Sequence, residues 1–267
     1  MNPDMITHRY RQCLLLHGPP GVGKTYTVEC IARSTGRPLI SLSMGNIVQS
    51  RNRVEEELEK WFHLAERWKA ILLLDEADIF LERRTTTDIQ RNGIVSVFLK
   101  KLEYFAGLLF LTTNRVGHID DAFISRASIV LEYGQLTHEI RKKIWEVFFK
   151  KVGIEAELAG GSKVEVDRYA RKYVLNDEEV RDLHWNGREI RNALQTAISL
   201  ARYRAHREGK EAGELIEVEE DHFRRVVDMS RKFKDHLQAI TKKDEEARAA
   251  ARMDRPYAQT RTVPEKR

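Results

Sequence analysis

Short, nearly continuous apolar runs recur through the first half of the chain, at Cys13–His17, Leu39–Ser43, Ile71–Asp75, Leu108–Thr112 and Ile129–Tyr133. Between them, Lys24–Thr35, Val54–Trp68 and Asp88–Phe105 carry helical patterns. Alternation of this kind predicts a parallel sheet with helical crossovers, and unbroken apolar strands imply that helices cover both faces. After Gly134 the pattern becomes helical throughout. Thr137–Val152 places Ile140, Ile144, Val147 and Phe148 on one face, and Asn186–Tyr203 does the same with Ile190, Leu194, Ala197, Ile198 and Ala201. Glu217–Phe233 reads as a last helix, with loops expected at Gly160–Ser162 and Arg207–Gly213. From Lys234 onward large apolar residues are few, so a frayed helix or disorder is expected there. No repeat of fixed period is visible.

A length of 267 residues allows one or two domains, and 42% hydrophobic with 33% charged residues is a globular composition. Runs such as Ile71–Leu74 and Gly107–Leu111 are too short to cross a bilayer. Met1–Arg11 holds polar and charged groups without an apolar core, which argues against a secretory signal. Two cysteines, Cys13 and Cys30, make no disulfide framework and point to a reducing, intracellular compartment, cytoplasm or nucleus. The net charge of +5 resides in the tail, because Met229–Arg267 holds 11 basic and 6 acidic side chains. The remaining residues carry 35 of each sign, so the body has no electrostatic footprint for nucleic acid.

One segment carries specific chemistry. Gly18, Pro19, Pro20, Gly21, Val22, Gly23, Lys24 and Thr25 fit G-x-x-x-x-G-K-[ST], directly after a candidate strand and at the start of a candidate helix. Glycines there let backbone N–H groups converge on an anion, and the helix N-terminus adds favourable partial charge. Lys24 would bridge β- and γ-phosphates, and the Thr25 hydroxyl would ligate Mg²⁺. Further on, Ile71–Leu74 runs into Asp75 and Glu76, so a buried strand delivers two carboxylates at its C-terminal edge. Asp75 would hold the Mg²⁺ shell, and Glu76 would accept a proton from water attacking the γ-phosphate. The plainer reading, that these acids cap the next helix, is weakened by the phosphate loop.

With these motifs the chain resembles the AAA-type ATPases of the AAA+ superfamily, in wording close to the fungal group with one AAA module per chain. The resemblance rests on LLHGPPGVGKT, LLLDEADIFLERR, QRNGIVSVFLKKLEYF, LFLTTNR and WNGREIRNALQTA, and covers about Leu14 to Phe233. It implies an α/β fold: a P-loop NTPase αβα core with a five-stranded parallel sheet, followed by a small helical lid. It also implies ATP with Mg²⁺ as ligands and a homo-oligomeric ring, commonly a hexamer, with ATP at subunit interfaces. The expected organisation is a short segment 1–11, an ATPase core 12–135, a lid 136–233 and a basic tail 234–267.

Four more positions follow from the resemblance. Asn114 matches the polar sensor that contacts the γ-phosphate or attacking water, although a buried Asn can also be a turn residue. Arg126 falls where the family places its arginine finger, without the second arginine that most members carry nearby. In the lid, Arg188 and Arg191 are spaced i, i+3, and either could touch phosphate, as could neither. Ile144 and Phe148 could pack on adenine or simply form helix core.

Two features depart from the threading members of the family. Met44–Arg51, where an aromatic pore loop is expected, contains no aromatic residue. Only Met1–Gln12 precedes the first strand, so either adenine is held loosely or, the favoured expectation, the sequence begins inside a longer protein. Trp61 and Trp68 read as core of their helix rather than as stacking platforms. The leading expectation is an ATP hydrolase that remodels an unidentified macromolecule. The alternative is a nucleotide-gated binding module with little hydrolysis. A nucleic-acid remodeller is disfavoured by the balanced body, and a GTPase by the strand end Thr112–Arg115, which does not read as an [NT]-K-x-D guanine-recognition motif.

Overall fold

The computed structural model of the chain describes residues 12–43, 54–81, 89–115, 119–158, 163–210 and 214–251. They form two compact units by contact: Met1–Arg141 with Trp185–Ile190, and Lys142–His184 with Arg191–Arg267.

The first unit holds five strands, β1 (Gln12–His17), β2 (Leu39–Ser43), β3 (Ile71–Asp75), β4 (Leu108–Thr113) and β5 (Ile129–Glu132). All pairings are parallel and the order is β2-β3-β4-β1-β5. Helices α1 (Lys24–Thr35), α2 (Val54–Trp68), α3 (Asp78–Leu81), α4 (Ile89–Tyr104) and α5 (Asp121–Ile124) make the connections. Strand alternation sorts the core into two layers. Cys13, Leu15, Leu72, Leu74, Leu109 and Leu111 face the layer built by α2, α3 and α4, while Leu16, Ile71, Leu73 and Phe110 face Val28 and Ala32 of α1. This is the sheet covered on both faces that continuous apolar strands require.

The thicker layer is knitted by phenylalanines. Phe98 is fully buried, with its ring centroid 4.6 Å from Phe80 and 6.5 Å from both Phe62 and Phe123. Phe98→Ala removes the shared centre of that cluster, and the cost expected from transfer plus cavity is about 3–5 kcal/mol. Thermal unfolding should show a Tm about 10 °C lower than that of the parent chain.

β5 departs from the expectation of covered strands. Ile129, Val130 and Leu131 are each more than 40% exposed. The strand sits at the sheet edge, and among the described residues β1 is its one strand neighbour. Trp68 is a second correction: at 55% exposure it lies outside the core, whereas Trp61 packs partly against it. Trp68 is the last residue of α2, one position outside the buried stripe Val54, Leu58, Phe62 and Ala65. Cys13 is buried and Cys30 exposed, and both are free thiols. Burial pushes the Cys13 thiol up to about 12.

The second unit contains α6 (His138–Leu158, whose first turn belongs to the first unit), β6 (Val164–Val166), α7 (Arg168–Asn176), α8 (Glu178–Asp182), most of α9 (Gly187–Arg207), β7 (Ile216–Val218) and α10 (Glu220–Ala251). Its two short strands pair in parallel. They are absent from the sequence reading, in which Glu217 begins the last helix. The core face of α6 is also rotated from the expected one. Trp145 and Phe149 are buried and stacked on each other, and Trp145 packs edge-on to Phe223, while Ile140 and Val147 are exposed. The large rings decide the orientation because they bury more apolar area than the aliphatic stripe beside them. α10 continues past Phe233, where the apolar pattern ends. Pairs at i, i+4 (Glu220–Arg224, Asp221–Arg225, Asp228–Lys232) support its first half, and a run of good helix formers carries it on. No helix among the described residues is long and apolar enough to cross a membrane.

Candidate functional site

The site lies at the C-terminal ends of β1, β4 and β3, where ligands bind in open α/β sheets. β1 ends at His17, and the chain turns through Gly18 (φ 141°), Gly21 (φ 75°) and Gly23 (φ 106°) before α1 begins at Lys24. These backbone angles are open to glycine and strained for other residues. Gly23 is the N-cap of α1, and no side chain caps the helix. The N–H groups at that helix start, which have no intrahelical acceptor, suit an anion.

Lys24 is buried. Its Nζ donates to Gly18 O at 2.8 Å, Pro19 O at 2.7 Å and Asn114 Oδ1 at 2.8 Å, so the ammonium is held at the loop it would serve. Burial lowers its pKa most, the carboxylates of Asp75 and Asp78 oppose that, and the charge of Arg188 lowers it further. Beside it the Thr25 hydroxyl donates to Asp75 Oδ1 at 2.9 Å. The sequence places these residues 50 apart, and the sheet brings them together.

β4 lies between the strand that ends in the glycine loop and the strand that ends in the acids. Its tip contributes residues that the motifs did not single out. The Thr112 hydroxyl donates to Asp75 Oδ1 and accepts from the Glu76 N–H at 3.0 Å, and the Thr113 hydroxyl donates to Asp78 Oδ1. Thr112 therefore fixes both acids of the pair at once. The signal in the sequence was polarity: two threonines close an otherwise apolar strand, just before Asn114. Glu76 is exposed and has φ 54°, a left-handed conformation unusual for a residue with a side chain.

Asn186 also escaped the sequence reading. It forms a reciprocal cap with Glu189, whose N–H donates to Asn186 Oδ1 at 2.9 Å while Asn186 N donates to Glu189 Oε2 at 2.8 Å. The N-x-x-E spacing was legible as a capping box. Gly187 N then donates to Gly21 O at 2.9 Å, so the start of α9 is tied to the glycine loop within the first unit. Arg188 follows directly, close enough for its charge to be felt at Lys24, whereas Arg191 belongs to the second unit. Arg126 is turned onto its own chain. Its Nε donates to Glu103 Oε1 at 3.1 Å, Nη1 to Ala122 O at 2.7 Å, and Nη2 pairs with the same Glu103 oxygen. Ile144 and Phe148 are half-buried within the second unit. Tyr10 and Met44–Arg51 lie outside the described residues.

The donor set fits the group the motif implies. Thr25 and Asp75 offer hard oxygen ligands, and among the described residues no cluster of three or more His, Cys, Asp or Glu side chains forms a site of its own. Mg²⁺ is characteristically held in this way, by one or two protein oxygens together with phosphate oxygens and water.

A glycine loop under a helix start, with a hydroxyl and a carboxylate converging beside a buried lysine, defines a P-loop nucleoside-triphosphatase fold. The family model of the ATPases associated with various cellular activities (AAA) matches residues 14–135, and that of the fungal AAA+ ATPase lid domain matches residues 136–244. The chain belongs to the AAA ATPases. It is 26% identical over 194 residues to the human ATPase family AAA domain-containing protein 3B, covering 70% of this chain and 29% of that one. It is 25% identical over 163 residues to the Drosophila melanogaster ATPase family AAA domain-containing protein 3A homolog (58% and 27%). It is 30% identical over 164 residues to the human ATPase family gene 2 protein homolog B (57% and 22%). The chain thus matches less than a third of the length of each of these relatives.

Proposed function

We propose that the protein binds Mg·ATP and hydrolyses it to ADP and phosphate, coupled to remodelling of a macromolecule, as a ring of identical subunits, a hexamer as in much of the family. The observation that carries this reading is the meeting of Thr25 and Asp75 at 2.9 Å beside Lys24, which is itself bonded to Asn114. The backbone of Gly18–Thr25 and the ammonium of Lys24 bind the phosphates, and Thr25 with Asp75 holds the cation. Bound Mg²⁺ supplies charge neutralisation on the phosphate oxygens. Glu76 orients the attacking water and accepts its proton, while Asn114 hydrogen-bonds the γ-phosphate or that water. The charge of Arg188 at Lys24 supports Arg188 over Arg191 as the lid residue that touches phosphate in cis. Catalysis on this reading is positioning plus electrostatics, with Arg126 of a neighbouring subunit adding positive charge in the transition state.

One observation favours a second reading, a nucleotide-gated assembly module that hydrolyses little. Arg126 has three N–H contacts on its own chain, two of them to Glu103, which must be given up or shared before it reaches a neighbour. The two readings separate in one assay. Under the first, ATPase activity per chain rises steeply with protein concentration, and Arg126→Ala lowers it at least about tenfold and flattens the rise. Under the second, turnover is absent at every concentration although Mg·ATP increases the mass of the particle.

A further inference from the structure

The C-terminal end of α9 and the first turns of α10 enclose a cavity of about 360 Å³ within the second unit, apart from the glycine loop. Its walls carry Arg204, Arg207, Arg225 and His222, together with the carboxylates of Glu208 and Asp221. His222 is 3% exposed, and its ring is fixed by the chain entering α10, since Nδ1 accepts the Glu219 N–H at 3.0 Å. That bond puts the ring proton on Nε2, and Nε2 is buried with no partner. A buried donor without an acceptor costs about 1–3 kcal/mol, so a site that keeps one is matched to an acceptor from outside.

The surrounding charges say what kind of acceptor. Arg204 is held by Glu208 at 3.3 Å and Glu219 at 2.8 Å, and Arg225 by Asp221 at 3.0 Å. Those carboxylates fix the two guanidiniums at the cavity wall and leave part of each donor fork unspent, as supporting groups do around phosphate sites. Arg207 has no ion pair among the described residues. We propose that this cavity binds a phosphoryl oxyanion, free or carried on a small molecule, with Arg207 and Arg225 as charge partners and His222 Nε2–H as the fixed donor. Guanidinium forks and a fixed imidazole N–H match several oxygens of one tetrahedral group, whereas a planar carboxylate offers two in one plane. Burial first, and then the charge of Arg204, lowers the His222 pKa, with Glu219 and Asp221 opposing and Arg225 adding to the fall. The ring is therefore neutral at pH 7 as a single-proton donor, and an anion brought against it will raise that pKa.

The test follows the His222 ring nitrogens by NMR in the whole chain while inorganic pyrophosphate is added in magnesium-free buffer, with potassium chloride at matched ionic strength and citrate as controls. The expected result is a saturable displacement of the Nε2 signal with Kd below about 1 mM, and a His222 pKa about one unit higher. Arg207→Gln and Arg225→Gln, both at exposed helix positions, should each weaken the response at least tenfold. The local readout separates this event from phosphate binding at the glycine loop, which both variants leave intact. No saturable change up to about 10 mM, an equal response to citrate, or an undiminished response in both variants overturns the proposal.

Discussion

Glu76→Gln is expected to keep Mg·ATP binding and to slow the proposed hydrolysis at least about tenfold, with general-base loss reaching about 100-fold or more. The substitution preserves size and leaves the binding groups alone. Lys24 retains its three acceptors, and Thr25 and Asp75 stay together. The backbone bond from residue 76 to Thr112 survives as well, because it uses the main-chain N–H. Only the ability to take a proton is lost. Calorimetry with Mg·ATP and steady-state phosphate release on the same preparation measure the two halves separately. Undiminished turnover would remove Glu76 from its proposed role, and unmeasurable turnover in the parent chain would favour the nucleotide-gated module.

Gly18→Ala should be the most damaging methyl group added at any glycine among the described residues. A Cβ at that position would lie 2.1 Å from the Tyr133 carbonyl oxygen and 3.0 Å from its carbonyl carbon, and the backbone sits at φ 141°. The obstacle is main chain, so no rotamer relieves it, and the strained angle adds to the clash. Gly18 also accepts one of the Lys24 hydrogen bonds, so any shift that makes room displaces the ammonium. The expected loss is about 3 kcal/mol or more of stability together with Mg·ATP affinity. Chemical denaturation and nucleotide titration would register it. A chain that kept both properties would show that the turn after β1 has more freedom than the structure gives it.

Much of the core was legible because its strands are buried on both faces and therefore unbroken, and because helix starts and the glycine loop carry local chemistry. Lys24, Thr25, Asp75 and Asn114 were found by spacing and likeness, and the sheet brings them into direct contact. What the sequence hid depends on tertiary neighbours. Thr112 is an ordinary strand residue until β4 is known to lie beside β3, where its hydroxyl bridges Asp75 and the Glu76 amide. The pairing of Arg126 with Glu103 joins residues 23 apart, with β4 and α5 between them, and leaves no periodic trace. β6 and β7 are three residues each and separated by three helices, too short for alternation to announce them. Trp145 and Phe149 lost out to an aliphatic stripe in the periodicity, although ring area outweighs it in the packed unit.

The left-handed backbone at Glu76 sets a limit on how this chain could be improved. A residue with a side chain gives up about 1 kcal/mol there relative to glycine, which tolerates the same angle freely. Selection for thermal robustness alone would drift toward glycine at this turn and discard the carboxylate on which the proposed chemistry depends. The position is thus a point where durability and turnover pull in opposite directions, and stabilising libraries built on this scaffold should hold it fixed.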